Sequence, residues 1–358
     1  MKNSIKFAAA AAIFAAVVAS SSLALGSSSN AGAGNNNNNN GNEEAEVVRI
    51  GYFPNINHAQ AVIGLGRGDF QKALGDDVEV RTQLFNAGPL AIEALFANQM
   101  DVTYVGPNPA INGYVKSDGE ALRIVSGAAS GGSVLVVRTD ADIDSVADFA
   151  GKKFSSPELG NTQDVALRKY LLDNGHKTSE KGGNVEVFPA KNPDIVTRMI
   201  KKDIHGAWVP EPWGAKLVKE ANGRIFLDER DLWPGGDFVT AHIIVRTEFL
   251  EQNPEIVKKI IRAHVEETEW IYDNQDEAVT VFNEELKKLT GKTLPEDEFR
   301  EGLSRMELTH DPIKESLFKS ANDAYDIGFF RERPDLLGIY DLDILNEVLA
   351  EKGMAPIP

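Results

Sequence analysis

Residues 155–171 have the sequence SSPELGNTQDVALRKYL, and this stretch carries the clearest strand–turn–helix pattern in the chain. A β-type segment breaks at Ser156-Pro157, a polar turn follows, and apolar residues then recur at helical spacing. Asn161 or Thr162 can serve as the helix N-cap, and Asp164 lies close to the spacing of a capping box. The free N–H groups and positive dipole end of such a helix suit a small oxyanion. An ordinary, well-capped helix has the same pattern, so these residues alone leave both interpretations open.

Strand-like and helix-like segments alternate on both sides of this stretch, and a mainly helical pattern begins at Pro254. We therefore expect an α/β protein with two mixed sheets flanked by helices, in which ligands bind at the carboxyl ends of the strands. The predicted strands are 47–53, 78–85, 102–105, 123–125, 134–138, 152–155, 185–188, 207–209, 224–227 and 242–245, and the predicted helices include 88–98, 161–174, 193–202 and 211–220.

Two stretches rich in small residues predict crossings between two lobes. One is 126–132, with the sequence SGAASGG, and the other is 231–240, which contains Pro234-Gly235-Gly236. Two crossings make a hinge, and a cleft between hinged lobes can close on a ligand. The predicted lobes are 46–128 together with 238–358, which includes the C-terminal helices, and 129–237.

The first 45 residues predict targeting and tethering. Lys2 and Lys6 precede an apolar run, so residues 1–25 are predicted to be a signal peptide or a membrane anchor. Residues 26–45 form a Ser/Asn/Gly-rich linker that has too few apolar residues for a core. We expect an exported protein, periplasmic or at the cell surface, that the N-terminal segment can tether. The chain contains no cysteine, which excludes a disulfide framework and a lipid-attachable Cys.

Composition limits the partners and the chemistry. The net charge of −17 argues against nucleic acid or anionic lipid as the main partner, and a monomer is expected. An anionic ligand would have to be held by local dipoles and donors, against the sign of the overall charge. The six histidines lack the spacing of a metal site, and no nucleophile elbow or phosphate loop occurs. No catalytic residue, metal or cofactor is therefore predicted.

Several further segments carry a family resemblance through their order and spacing. They are GYFPNINHA at 51–59, FNAGP at 85–89, ALFANQMDVTYVGPNP at 94–109 and GAWVPEPW at 206–213. Together with the stretch at 155–171, they resemble solute-binding proteins that feed ABC importers for aliphatic sulfonates, taurine and nitrate. The resemblance implies a two-lobed type II periplasmic-binding-protein fold, with a hinged cleft between the lobes. It also implies a non-enzymatic receptor that delivers a small sulfonate-type anion to an ABC permease.

Candidate ligand-binding residues lie where predicted strands end. In the taurine-binding relatives, an acidic residue before a proline meets the ligand's ammonium group, and Glu211 matches that position. Trp208 would then flank the carbon chain. Alternatively, Trp208 packs in the core and Glu211 caps the next helix. His58 could donate to the anion or cap its own helix. The full candidate set is Asn57, His58, Asn86, Asn108, Asn161, Thr162, Gln163, Trp208 and Glu211.

Other functions stay open on the same scaffold. Nitrate, bicarbonate or a thiamine-pyrimidine precursor could replace the sulfonate or taurine as ligand. An enzyme that resembles thiamine-pyrimidine synthases is an alternative from another class, although those synthases carry a cysteine-rich motif that this chain lacks. A surface interaction protein with a vestigial cleft is the third possibility.

Overall fold

The computed structural model describes residues 46–358. The predictions for the segments 1–25 and 26–45 lie outside the described residues. Within residues 46–358, no helix combines the length and apolar character that crossing a membrane requires.

The first sheet has six strands and defines what we call lobe one. In chain order they are β1 (Glu46–Tyr52), β2 (Val78–Leu84), β3 (Val102–Val105), β4 (Leu122–Gly131), β10 (Val239–Arg246) and β11 (Met306–Leu308). Their spatial order is β11-β4-β10-β3-β1-β2. β1 runs parallel to β2 and β3, whereas β10 is antiparallel to β3 and β4.

The second sheet has five strands and defines lobe two. They are β5 (Ser133–Arg138), β6 (Lys153–Pro157), β7 (Glu186–Ala190), β8 (Gly206–Pro210) and β9 (Gly223–Asp228), in the spatial order β7-β6-β8-β5-β9. β6 runs parallel to β7 and β8, and β5 is antiparallel to β8 and β9. Each sheet thus combines three parallel strands with an antiparallel strand that arrives from the other sheet. The predicted α/β class with two mixed sheets is confirmed.

Helices cover the faces of both sheets. They are α1 (Ala59–Arg67), α2 (Asp69–Leu74), α3 (Gly88–Phe96), α4 (Pro107–Lys116), α5 (Thr162–Asp173), α6 (Asn192–Ile200), α7 (Trp213–Glu220), α8 (Thr247–Gln252), α9 (Pro254–Asp273), α10 (Gln275–Thr290), α11 (Glu296–Ser304), α12 (Lys314–Asp326) and α13 (Asp343–Glu351). Apolar clusters lie on both faces of each sheet, and α9 supplies Val257, Ile260, Ile261 and Val265 to the largest of them.

The first crossing between the sheets is much shorter than the sequence predicts. β4 continues through the small residues to Gly131, so Gly132 alone separates it from β5. A Cβ on Gly127 would lie 2.0 Å from the Asp311 carbonyl oxygen, because the 310–312 segment packs directly on the strand. The small residues therefore allow close packing, and the left-handed φ values of the crossing, +74° and +71°, occur at Gly131 and Gly132. The second crossing is the irregular segment 229–238 between β9 and β10.

Candidate functional site

The loops at the carboxyl ends of the parallel strands of the two sheets meet at the seam between the lobes. The Trp213 indole N–H in lobe two donates to the Asn55 side-chain oxygen in lobe one, at 2.9 Å. The Ile56 backbone N–H donates to the Glu211 carbonyl at 3.4 Å. This convergence creates a cleft at the edge where ligands bind in open α/β sheets.

The start of α5 is the part of this cleft that the sequence singled out. Asn161 is the N-cap, and its side-chain oxygen accepts from the Thr162 N–H at 3.0 Å. Asp164 does not close a capping box with Asn161. It accepts from the Gly160 N–H at 3.0 Å and the Ser156 hydroxyl at 2.7 Å, so it fixes the turn before the helix. The Asn161 oxygen is therefore engaged by its own helix, and the turn is rigidly held.

Thr162 of lobe two is in close contact with lobe one. A Cβ on Gly106, in the loop after β3, would lie 2.4 Å from the Thr162 hydroxyl oxygen, so only glycine permits this approach. That hydroxyl is buried and has no hydrogen-bond partner among residues 46–358, and Gln163 beside it is buried as well. An unpaired buried polar group costs about 1–3 kcal/mol. The start of α5 thus carries a buried hydroxyl, at the seam between the lobes, that can still form a hydrogen bond.

Asn57, after β1, provides a second unpaired group at the seam. Its side-chain oxygen is buried and has no partner within the described part of the chain. The oxygen lies in the short helical turn Ile56–His58, which packs near β4 and α11. An acceptor at this position suits an N–H or O–H donor on a ligand or a bound water.

The His58 side chain does not cap its helix, and as a neutral ring that accepts at Nδ1 it keeps an Nε2–H donor. Its Nδ1 accepts from the Phe53 N–H at 3.3 Å, and its ring stacks on that phenyl ring with centroids 4.6 Å apart. Burial lowers the pKa of His58 to about 3, so the ring is neutral at physiological pH. His58 therefore holds the loop after β1 in shape and offers no positive charge to an anion.

Asn108 and Asn86, the remaining candidate asparagines of lobe one, differ in burial. Asn108 is buried in the first turn of α4, where its amide donates to the Ser320 carbonyl at 3.3 Å and ties α4 to α12. Asn86 is exposed after β2 and lines a groove of about 510 Å³. This groove runs between the lobes, and it is also lined by Leu84, Val196 and Trp213.

Trp208 does not reach the cleft, which corrects the expectation that it flanks a carbon chain. It lies inside β8 and is fully buried in the core of lobe two. Its indole N–H donates to Glu229 at 2.7 Å and to the Ser133 hydroxyl at 3.1 Å. The tryptophan that contacts the opposite lobe is Trp213, because it follows the strand and is not part of it.

Glu211 has internal partners, contrary to the expectation of a carboxylate free to meet an ammonium group. It is fully buried; one oxygen accepts from the Ala215 N–H at 3.0 Å and the other lies 2.6 Å from Nη1 of Arg305. Burial raises the pKa of Glu211, whereas the Ala215 N–H and the guanidinium favour its ionised form. Arg305 was missed from the sequence, since it lies 94 residues further along the chain.

The geometry is that of a two-lobed binding protein, and comparisons with known proteins agree. The NMT1-like family matches residues 41–282, so the chain belongs to that family. A protein of Brucella abortus (strain 2308), named only as a binding protein, is 28% identical over 242 residues, which cover 67% of this chain and 72% of that protein. The taurine-binding periplasmic protein of Escherichia coli (strain K12) is 24% identical over 65% of this chain and 69% of its own length.

Solved structures share the fold. The alkanesulfonate-binding protein SsuA from Xanthomonas axonopodis pv. citri, bound to MOPS, superposes with a TM-score of 0.69 at 14% identity, covering 83% of this chain and 98% of that one. The nitrate-binding protein NrtA from Synechocystis PCC 6803 gives 0.68 at 17% identity, covering 86% and 89%. The predicted periplasmic-binding fold and family relationship are confirmed: the chain belongs to the NMT1-like family and shares the fold of these binding proteins.

Proposed function

We propose that this protein is the extracytoplasmic receptor of an ABC importer and captures an aliphatic sulfonate in the cleft between its lobes. The observation that carries the proposal is the start of α5. There Asn161, Thr162 and Gln163 are buried together, and the unpaired Thr162 hydroxyl faces Gly106 of the other lobe. Relatives named for taurine and aliphatic sulfonates support the ligand class.

Dipoles and neutral donors would hold the anion. The first cation along α5 is Arg168, whose Nε and Nη1 are bonded to Asp164 and Glu180, so it is not free for a ligand at the helix start. A helix N-terminus contributes about 0.3–1 kcal/mol to an anion at the surface and up to about 2 kcal/mol in a partly buried site. Hydrogen bonds from Thr162 and Gln163 would add to this, which suits capture of an anion by a protein of net charge −17.

A groove at the same seam, lined by residues other than those at the start of α5, would favour an organic anion over nitrate if the alkyl group extends into it. Leu84 of lobe one faces Val196 and Trp213 of lobe two across it, so an alkyl group can lie between apolar walls. Glu211 does not add a requirement for an amine, because Arg305 already balances its carboxylate. A plain alkanesulfonate is therefore preferred to taurine within the proposed class.

Calorimetric titration of ethanesulfonate, taurine and nitrate tests this function. Replacing both Thr162 and Gln163 with Ala should weaken ethanesulfonate binding by about 1–3 kcal/mol and leave the fold intact. The matched control replaces Thr280 and Gln252 with Ala; these two residues are exposed, on α10 and α8 of lobe one. Equal affinity of the cleft and control variants would refute the assignment of the anion site. Turnover of a bound compound would instead indicate an enzyme.

Delivery to a permease requires export, which we propose on the basis of the N-terminal sequence and the periplasmic relative. Residues 1–25 would direct export or remain as an anchor, and residues 26–45 would act as a tether. The receptor would act as a monomer. The N-terminal mass of the protein recovered outside the cytoplasm distinguishes a cleaved signal from a retained anchor.

A further inference from the structure

A separate cavity of about 340 Å³ lies on the seam between α5 and the C-terminal end of α12. We call it the seam pocket and define it by Arg168, Lys177, Thr178, Lys181, Asp326 and Gly328. Arg168 lies six residues after Thr162 on α5, about 9 Å further along the helix axis. The seam pocket is therefore distinct from the proposed anion site at the start of that helix.

The wall from lobe two is cationic, although the protein as a whole carries a charge of −17. Lys177 and Lys181 are exposed at its edge, and neither forms a salt bridge within residues 46–358. Arg168 at the base is buried, and its Nε and Nη1 are bonded to Asp164 at 3.0 Å and Glu180 at 2.6 Å. Two positive charges thus lack a carboxylate partner at this place.

Two buried polar groups of the same wall have no partner. Nη2 of Arg168 and the Thr178 hydroxyl are both buried, and neither makes a hydrogen bond within the described chain. The two residues are only 8% and 7% exposed, so solvent does not satisfy these groups. Both groups can donate a hydrogen bond. Donors and free cations at one wall indicate an oxyanion as the missing partner.

The wall from lobe one has the opposite polarity. Asp326 ends α12, so its carboxylate lies beside the negative end of the helix dipole. Nζ of Lys181 reaches across the seam and lies 3.3 Å from the position that a Cβ on Gly328 would occupy. The Asp326 carboxylate also lies 3.7 Å from Nζ of Lys169 and 4.0 Å from Nη2 of Arg333, so its charge is partly balanced, but it keeps lone pairs that can accept a hydrogen bond. An anion with a hydroxyl group can donate to these lone pairs, whereas an anion without a proton cannot.

We propose that the seam pocket binds inorganic phosphate in a protonated form. Its ionised oxygens face Arg168, Thr178 and the two lysines, and its P–OH group donates to Asp326. Sulfate has the same size and shape but carries no proton at neutral pH, so Asp326 discriminates against it. Because the two walls belong to different lobes, bound phosphate bridges the seam and favours the closed arrangement.

Titration calorimetry with phosphate and with sulfate, at matched ionic strength, tests the proposal on the purified protein. We expect phosphate to bind at least about tenfold more tightly than sulfate. The double variant Lys177→Gln/Lys181→Gln should weaken phosphate binding at least about tenfold, whereas Asp326→Asn should narrow the preference for phosphate over sulfate. The control Lys116→Gln/Lys201→Gln removes the same charge from exposed positions outside the pocket.

Three results would overturn the proposal. If the lysine variant and its control bind phosphate with equal affinity, then phosphate binds as an adventitious ion only. An absence of binding up to about 10 mM phosphate would mean that the pocket has no such ligand. Loss of phosphate binding in the Thr162/Gln163 variant, with the lysine variant unaffected, would place phosphate in the main cleft. Ethanesulfonate titrated on the same variants reports the cleft separately, so the two proposals can fail independently.

Discussion

Replacing Arg305 with Met should destabilise the protein by leaving the Glu211 carboxylate buried without its cation. Glu211 follows β8 of lobe two, and Arg305 precedes β11 of lobe one. Their charged atoms lie 2.6 Å apart, with the Glu211 side chain fully buried and that of Arg305 13% exposed. The pair therefore connects the lobes next to Gly132. The Gly132 N–H donates to the Arg305 carbonyl, and the Gly132 carbonyl accepts from the Glu211 N–H.

The magnitude follows from distance and burial. At 2.6 Å and an effective dielectric constant of about 20, the gross attraction is about 6 kcal/mol. Desolvation offsets much of this, and removing one partner of a buried pair costs about 3–5 kcal/mol. The partial exposure of Arg305 and the second bond of Glu211, to the Ala215 N–H, favour the lower end. We expect Arg305→Met to lower the free energy of unfolding by about 3 kcal/mol.

Urea unfolding at several pH values measures this effect. Without the guanidinium, the folded-state pKa of Glu211 should rise further above its unfolded value. A raised carboxyl pKa gives stability that is present at low pH and is lost as the pH rises through that pKa. The deficit of Arg305→Met should therefore be larger at pH 8 than at pH 5. The double variant with Glu211→Gln should recover most of the loss, because no buried charge remains.

The control is Arg300→Met, on the preceding turns of α11, where the arginine pairs with the exposed carboxylates of Asp276 and Glu296. That change should cause no measurable loss. The reasoning would be refuted by a coupling energy near zero between positions 211 and 305, or by a deficit of Arg305→Met that does not change with pH.

Three further outcomes are expected. Gly106→Ala should retain the fold but weaken ethanesulfonate binding at least about tenfold in calorimetry, because the new Cβ would lie 2.4 Å from the Thr162 hydroxyl oxygen. Unchanged affinity would contradict the close approach of Gly106 to Thr162. Saturating ethanesulfonate should reduce the radius of gyration in X-ray scattering, and identical curves would argue against a hinge at Gly132. The free energy of unfolding should fall as the pH drops below about 6.5, because burial lowers the pKa of His58 and His264 to about 3, well below the unfolded value. His264→Gln should reduce the slope of the free energy of unfolding against pH by about one proton. An unchanged slope would exclude this linkage.

The sequence predicted the secondary structure well where local patterns are strong. The predicted strand 102–105 is β3 itself, and helix 161–174 differs from α5 by one residue at each end. The three-residue strand β11 was missed because so short a segment has no periodicity of its own. The glycine-rich stretch at 126–132 was expected to be a crossing between the lobes, but β4 continues through it to Gly131, and Gly127 allows the 310–312 segment to pack directly on the strand.

The ligand-binding roles of the candidate residues stay predictions, and the sequence did not show which of their side chains are already engaged. The polar start of α5 is visible in the sequence because an N-cap and its helix are neighbours along the chain. Whether a side chain is free or already engaged depends on contacts from distant residues. Glu211 is balanced by Arg305, and the indole of Trp208 is bonded to Glu229, and neither partner is marked by a local pattern.

The sequence by itself determined the α/β class, the family and the loops at the strand ends, because periodicity, turn residues and ordered motifs are local properties of the chain. Only the tertiary structure decided which polar groups remain unpaired. It brought Gly106 against Thr162, buried His58 as a neutral ring, and placed Lys177 and Lys181 opposite Asp326 across the seam. The free energy of a polar side chain depends on burial and partners, and the folded chain sets both through residues far apart in sequence.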